Sequence, residues 1–84
     1  MQTTRGKIVS QGYSLRLRDL NMKASSKLLG VRLGRVCIKH DIPAMVVAEQ
    51  MGVSRQTVYN WFRGVSNPGP NLNARVEQFI AALN

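Results

Sequence analysis

The stretch MGVSRQTVYNWFRG, residues 51–64, carries the signals that decide the fold of this chain. Gly52 can adopt the left-handed conformation that closes a helix at its C-terminus. Ser54 is a favourable N-cap, because its hydroxyl can accept a hydrogen bond from a main-chain amide in the first helical turn. Gly64 is a second helix stop. The stretch therefore predicts a tight turn followed by a helix between Ser54 and Gly64.

Apolar residues inside this helix recur at intervals of three and four, which predicts one buried face. They are Val58, Trp61 and Phe62, and we interpret both aromatic residues as core. A shorter helix is predicted before the turn, over residues 44–51, because Pro43 suits a helix start. Its predicted buried residues are Val47, Ala48 and Met51.

A longer amphipathic helix is predicted from Ser26 to about Asp41. Its apolar side is formed by Leu29, Leu33, Val36, Cys37 and His40. Gly30 and Gly34 lie one turn apart in this helix, an arrangement that permits close approach of a neighbouring element.

A last helix is predicted after the loop VSNPGP, residues 65–70, which is dense in helix-breaking residues. Asn71 or Asn73 is its expected N-cap. The apolar stripe consists of Leu72, Val76, Phe79, Ile80 and Leu83. Together these patterns predict an all-α domain of four to five helices over residues 26–84.

Residues 1–25 keep no helical period for long, and we expect them to form a basic N-terminal arm or extension. Residues 13–17 alternate apolar and polar side chains, as a short strand does. Leu15, Leu17 and Leu20 fit one weak helical stripe equally well, so both alternatives stay open here.

The charge distribution points to a polyanionic partner. Twelve Lys and Arg stand against four Asp and Glu, for a net charge of +8. Residues 1–40 carry all of this excess, while residues 41–84 hold three basic and three acidic residues.

Several functional classes are not expected. Cys37 has no second cysteine with which to pair, and one His with one Cys cannot form a structural zinc site. No Ser or second His is placed to cooperate with His40, so we predict that the protein is not an enzyme and has neither a metal site nor a cofactor. No apolar run reaches the ~20 residues of a membrane span, and no signal peptide is recognisable, so we expect a cytoplasmic protein.

Two short helices joined by a glycine-containing turn form a helix-turn-helix, whose second helix enters the DNA major groove. The free face of that helix carries Arg55, Gln56, Tyr59, Asn60 and Arg63. Arg can bond guanine O6 and N7 together, and Gln or Asn can do the same at adenine N6 and N7. We therefore predict base contacts from Arg55, Gln56, Tyr59 and Asn60.

Residues 44–64 resemble the helix-turn-helix of the lambda-repressor and Cro superfamily, with Ala48, Gly52, Val58, Trp61 and Gly64 at matching positions. The resemblance implies a lambda-repressor-like domain, a small phage-type regulator, and Arg55 and Gln56 as leading base contacts. It implies secondary contacts from four further residues, Ser54, Thr57, Tyr59 and Asn60.

Phosphate contacts are predicted from Ser54, Arg63, Arg5, Lys7, Arg16, Arg18, Arg32, Arg35 and Lys39. For Arg32, Arg35 and Lys39, a merely solvated helix face is an equally good interpretation.

Two classes of function follow. The favoured one is a sequence-specific duplex-DNA-binding transcriptional regulator, a repressor that binds as two copies on a palindromic site. The alternative is a helix-turn-helix protein that docks on a protein such as RNA polymerase through its basic N-terminal half. An accessory DNA-binding role in recombination or packaging is a variant of the first class.

Overall fold

The computed structural model describes residues 13–83, which form five α-helices and no strand. The helices are α1 (Leu15–Lys23), α2 (Leu29–Lys39), α3 (Ala44–Met51), α4 (Arg55–Arg63) and α5 (Pro70–Leu83). The all-α prediction is confirmed. The four helices that the sequence patterns indicated directly are α2 to α5, and α1 is the fifth.

Helix α4 lies against three others, with its broadest contact on α2 and further contacts on α3 and α1. Phe62, Val58 and Trp61 of α4 are buried in the centre of the core. Val76 and Ile80 of α5 close the core over α2 and α3. The interpretation of Trp61 and Phe62 as packing residues is confirmed.

Close approach of α2 and α4 depends on two glycines, as their spacing indicated. A Cβ at Gly30 would lie 2.7 Å from Trp61 Cβ, and a Cβ at Gly34 would lie 2.8 Å from Phe62 Cγ. Real Cβ atoms essentially never sit so close, so only glycine lets the two helix backbones meet at this distance.

The turn between α3 and α4 forms as predicted. Gly52 has φ +70°, in the left-handed region, and its amide donates to the carbonyl of Ala48. Ser54 Oγ accepts from the amide of Thr57 at 3.2 Å and caps α4. Gly64, at φ +79°, ends that helix.

Helix α1 corrects the prediction that residues 1–25 form an arm, and it excludes the strand alternative for residues 13–17. Ser14 Oγ accepts from the amide of Leu17 at 3.1 Å, which caps α1. Tyr13, Leu17 and Asn21 are buried against the other helices. Burial of these side chains, one turn apart, makes helix the favourable conformation. The predicted arm thus joins the globule from residue 13, and residues 1–12 lie outside the described part.

Two helix starts also differ from the predictions. Helix α2 begins at Leu29 rather than Ser26, and the amide of Gly30 donates to Asn67 Oδ1 at 2.8 Å. That cap comes from a loop 37 residues away, so local sequence does not reveal it. Helix α5 begins at Pro70 rather than after Asn71 or Asn73. Proline suits the first helical position, because that position needs no amide partner.

Two buried titratable groups lie where α1, α2 and the segment after α2 meet. Burial raises the pKa of the Cys37 thiol to about 12. Burial is also the main reason that the pKa of the Tyr13 hydroxyl lies above its ordinary value, and the neighbouring Cys37, Tyr59 and Asp41 add to the effect. The Tyr13 hydroxyl donates to the carbonyl of Ile42, which fastens the start of α1 to the segment between α2 and α3.

Candidate nucleic-acid interface

Helix α4 has one buried face and one exposed face. Val58, Trp61 and Phe62 are at most 3% exposed, whereas Arg55 and Gln56 in the first turn are exposed. The buried face is held by the αL turn at Gly52 and by the Ser54 cap, which fix where α4 begins. The exposed face therefore has a defined position on a packed helix, as precise recognition requires.

Three side chains on this face form one hydrogen-bonded relay. Asn60 Oδ1 accepts from Gln56 Nε2 at 3.1 Å and from Arg63 Nη2 at 2.6 Å. The Gln56 Oε1 atom and its second amide hydrogen are left free by this arrangement. The relay orders the predicted contact residues one helical turn apart, and it leaves Gln56 able to bond a further partner.

The other predicted contact residues of α4 are less accessible. Thr57, Tyr59, Asn60 and Arg63 are half-buried. Ser54 Oγ lies 3.0 Å from Thr57 Oγ1, so both hydroxyls are engaged at the helix N-terminus. Arg55 and Gln56, the two leading base contacts in the prediction, are thus also the most accessible of the predicted base contacts.

Helix α1 brings further residues beside α4, which sequence reasoning placed in a separate arm. A cleft of about 340 Å³ lies between the two helices. Its lining comprises Ser14, Arg16, Leu17 and Leu20 from the α1 segment with Tyr59 and Arg63 from α4. Ser14 was missed as a site residue. The apolar spacing of Tyr13, Leu17, Leu20 and Ala24 was the signal that could have placed α1.

A second group of predicted phosphate contacts lies apart from α4. Arg18, Arg35 and Lys39 line a groove of about 320 Å³ between α1 and α2, and the remaining lining residues are Asn21, Met22 and Ile38. The structure thus divides the basic residues between two sites on either side of α1. Arg32 is exposed on α2 and lines neither site, while Arg5 and Lys7 lie outside the described residues.

Arg35, predicted as a phosphate contact, instead makes hydrogen bonds within the fold, which the sequence analysis did not predict. Its Nη2 donates to the carbonyls of Asn21, Met22 and Ala24 at 3.3, 3.2 and 3.0 Å. These carbonyls end α1, where a cation also complements the helix dipole. Arg35 therefore fastens the C-terminus of α1 to α2 through its Nη2 atom.

The electrostatic character of the α4 face is positive. Helix α4 contains Arg55 and Arg63 and no acidic residue. Among the described residues, the one ion pair joins Lys23 Nζ to Asp19 Oδ2 at 2.9 Å on the exposed side of α1. Neither arginine of α4 is neutralised by a neighbouring carboxylate within residues 13–83.

No group of three or more metal-ligating side chains occurs within residues 13–83. None of the five helices has the length and apolar character that crossing a bilayer requires. The chain matches no protein-family model, no curated protein and no solved structure.

Proposed function

We propose that this protein is a sequence-specific duplex-DNA-binding transcriptional regulator, a small repressor of the phage type. Its α3–turn–α4 unit acts as a helix-turn-helix of the lambda-repressor and Cro kind, and α4 enters the major groove. The repressor blocks access to a promoter by occupying it. Residues 1–12 belong to the same basic segment as α1 and add positive charge to the chain.

One observation carries this proposal. Helix α4 presents Arg55, Gln56 and Asn60 on the face opposite its buried one, and a left-handed glycine turn precedes it. Exposed Arg and Gln in the first turn match the donors and acceptors of guanine and adenine edges. A helix of nine residues with this free face fits a groove about 12 Å wide.

The phosphate contacts of this proposal come from around α4. Arg63 and Arg16 lie on or beside that helix, and Ser54 lies at its N-terminus. Contacts to about five phosphates give a log affinity that falls with log salt at a slope near about −4.5.

Two copies of the protein bind together in this proposal, because one domain of this size offers a small DNA interface. Half-sites then lie about 34 Å apart, or one helical turn, and the binding site is palindromic. The partner surface in this homodimer is α5, whose outer side is exposed.

The proposal is tested by selecting bound duplexes from a random DNA pool at physiological salt. The full chain is compared with its Arg55→Ala, Gln56→Ala double variant. Both side chains are exposed, so the double variant should keep the helical circular dichroism and melting temperature of the original protein. Recovery of a motif by the original protein and its loss in the variant is the expected result.

The control variant is Lys27→Ala, a similar truncation at an exposed position between α1 and α2 that belongs neither to α4 nor to α5. It should recover the same motif as the original protein. Failure to enrich any motif, or a motif that the double variant recovers equally well, overturns the assignment of α4 as a reader of sequence.

A second candidate function has its own supporting observation, the groove between α1 and α2. Met22 is 69% exposed there and lies with Ile38 among Arg18, Arg35 and Lys39. A groove that combines apolar and basic side chains suits an acidic, amphipathic segment of a partner protein, such as one on RNA polymerase. No residue of α4 lines this groove.

The two functions respond differently to substitution. The double variant Met22→Asp, Lys39→Glu replaces one apolar and one basic residue of the groove by acidic residues, and it leaves α4 unchanged. Under the second function, binding to purified RNA polymerase, measured by biolayer interferometry, falls in this variant and persists in the Arg55→Ala, Gln56→Ala variant. Under the first function, DNA selection fails with the Arg55→Ala, Gln56→Ala variant and succeeds with the Met22→Asp, Lys39→Glu variant. If the original protein does not bind the polymerase, that partner is ruled out.

A further inference from the structure

The cleft between α1 and α4 combines two cationic side chains with no acidic one. Arg16 lines it from α1, and Arg63 and Tyr59 line it from α4. Arg16 is exposed and has no ion pair within the described residues. The two arginines therefore face the cleft without an internal counter-charge.

Hydrogen-bond donors in this cleft remain free. Ser14 Oγ accepts from the amide of Leu17, which leaves its own hydrogen available for an outside acceptor. Arg63 uses Nη2 to hold Asn60, and its Nη1 takes part in no hydrogen bond within residues 13–83, whereas its Nε is buried and out of reach of an outside anion. A guanidinium has five donor hydrogens, so Arg63 can bond an anion and keep Asn60 in place.

The cleft also has an apolar wall. Leu17 and Leu20 of α1 line it together with Tyr59 of α4. A free anion needs no such wall. A sugar–phosphate unit does use it, because the deoxyribose ring next to each phosphate presents carbon atoms.

We infer that the α1–α4 cleft binds one phosphodiester group of the DNA backbone, between Arg16 and Arg63, while α4 lies in the adjacent major groove. This inference rests on the proposed function. Phosphate contacts fix the orientation of a protein on the duplex, and guanidinium groups match phosphate geometry. Helix α1 thus sets how deeply and at what angle α4 enters the groove.

The first test is the salt dependence of binding by the full chain and its Arg16→Gln variant. Arg16 is exposed, so the variant should retain its melting temperature. For each bound copy, its affinity for the selected duplex should fall roughly fivefold at physiological salt, and the log–log slope should become less negative by about 1. The selected motif should not change, because a phosphate contact carries no sequence information directly.

Lys27→Gln is the matched control, since Lys27 is an exposed cation between α1 and α2 that lies outside the cleft and outside α5. It should leave both affinity and slope at the values of the original protein. Equal effects of the Arg16 and Lys27 variants, or a slope unchanged by Arg16→Gln, overturn the inference.

The second test locates the phosphate. Single phosphates of the selected duplex are replaced in turn by uncharged methylphosphonates, and affinity is measured for the original protein and for Arg16→Gln. Each half-site should contain one position where the replacement weakens the original protein about fivefold and the variant hardly at all. Purely additive effects at every position overturn the inference.

The failure of the proposed function is distinguishable from failure of this site. If selection returns no motif, the proposed function fails, and the same slope comparison is made on a duplex of arbitrary sequence. A slope difference of about 1 there supports the cleft as a phosphate site, and an equal slope overturns it.

Discussion

The side-chain amide of Asn21 on α1 donates to the carbonyl of Phe62 on α4 at 2.7 Å, and both residues are buried. The same Asn21 Nδ2 donates to the carbonyl of Val31 on α2 at 3.2 Å. One polar side chain therefore fixes α1 against two helices at once. Because α4 carries the proposed reading face, Asn21 also determines where α1 stands beside that face.

Substitution of Asn21 should destabilise the protein in a graded way. Asn21→Ala removes both hydrogen bonds and should lower the free energy of unfolding by about 1–3 kcal/mol. Asn21→Asp is of similar size but sets a carboxylate against two carbonyl oxygens, so a larger loss of about 3 kcal/mol or more is expected. Urea denaturation measures both, with the exposed Met22→Ala as control, expected within about 0.5 kcal/mol. Equal stability of Asn21→Asp and the original protein contradicts this role.

Gly30→Ala should destabilise the protein although alanine is the better helix former. Helix propensity favours alanine by about 1 kcal/mol, but the new methyl group would meet the Cβ, carbonyl oxygen and Cα of Trp61 at 2.7–3.0 Å. Backbone atoms cannot rotate aside, so overlap should dominate with a net loss of about 1–3 kcal/mol. Thermal unfolding measures the effect. Arg32→Ala, at an exposed position of the same helix, is the control. If Gly30→Ala unfolds at no lower temperature than this control, the contact between α2 and α4 tolerates a methyl group at residue 30 and the prediction is wrong.

The cap that Asn67 provides to α2 can be tested by a pair of substitutions. Asn67→Ala removes the acceptor of the Gly30 amide and should cost about 0.5–2 kcal/mol of unfolding free energy. Asn67→Asp keeps an acceptor at the same place and adds a negative charge at a helix N-terminus, so stability should be retained or raised. Chemical denaturation at low and high salt distinguishes the two contributions. Equal losses in both variants would mean that Asn67 acts through packing instead.

Stability should decline in alkali because of Cys37. The folded-state pKa of its thiol is raised from 9.0 to about 12, so the folded protein keeps this proton after the unfolded chain has lost it. The free energy of unfolding therefore has its full value, as far as Cys37 is concerned, below pH 9. It decreases as pH rises toward 12, by at most about 1.4 kcal/mol per pH unit. Between pH 9 and 10 the original protein should lose about 1 kcal/mol more than Cys37→Ala.

Urea denaturation in the presence of a reductant checks the Cys37 prediction. Measurements below pH 10 avoid the contribution of Tyr13, whose raised pKa acts in the same direction only above its ordinary value of 10.0. Parallel pH profiles for the original protein and Cys37→Ala would show that the thiol is not protected from solvent in the folded state.

Local signals were sufficient for the α3–turn–α4 unit. Residues 44–51, the glycine at 52, the Ser54 cap and the stop at Gly64 were all predicted, and the structure confirms their positions. A cap and a left-handed glycine act within one turn of chain, so neighbouring residues suffice to specify them. The accessibility of Arg55 and Gln56 followed from the same local information, because the buried face of α4 leaves only one face free.

The place of α1 was decided by the tertiary structure. Its short apolar pattern fits a strand or a helix, and its helical form is held by partners far along the chain: Asn21 with Phe62, Tyr13 with Ile42, and Arg35 with the carbonyls at its end. Such contacts depend on where α2 and α4 lie. The sequence by itself determined which residues form the helix pair with the exposed Arg55 and Gln56, because those signals act over three or four residues. Only the packed structure determined that Arg16 and Arg63 line one cleft, because the two residues lie on separate helices with no local relation.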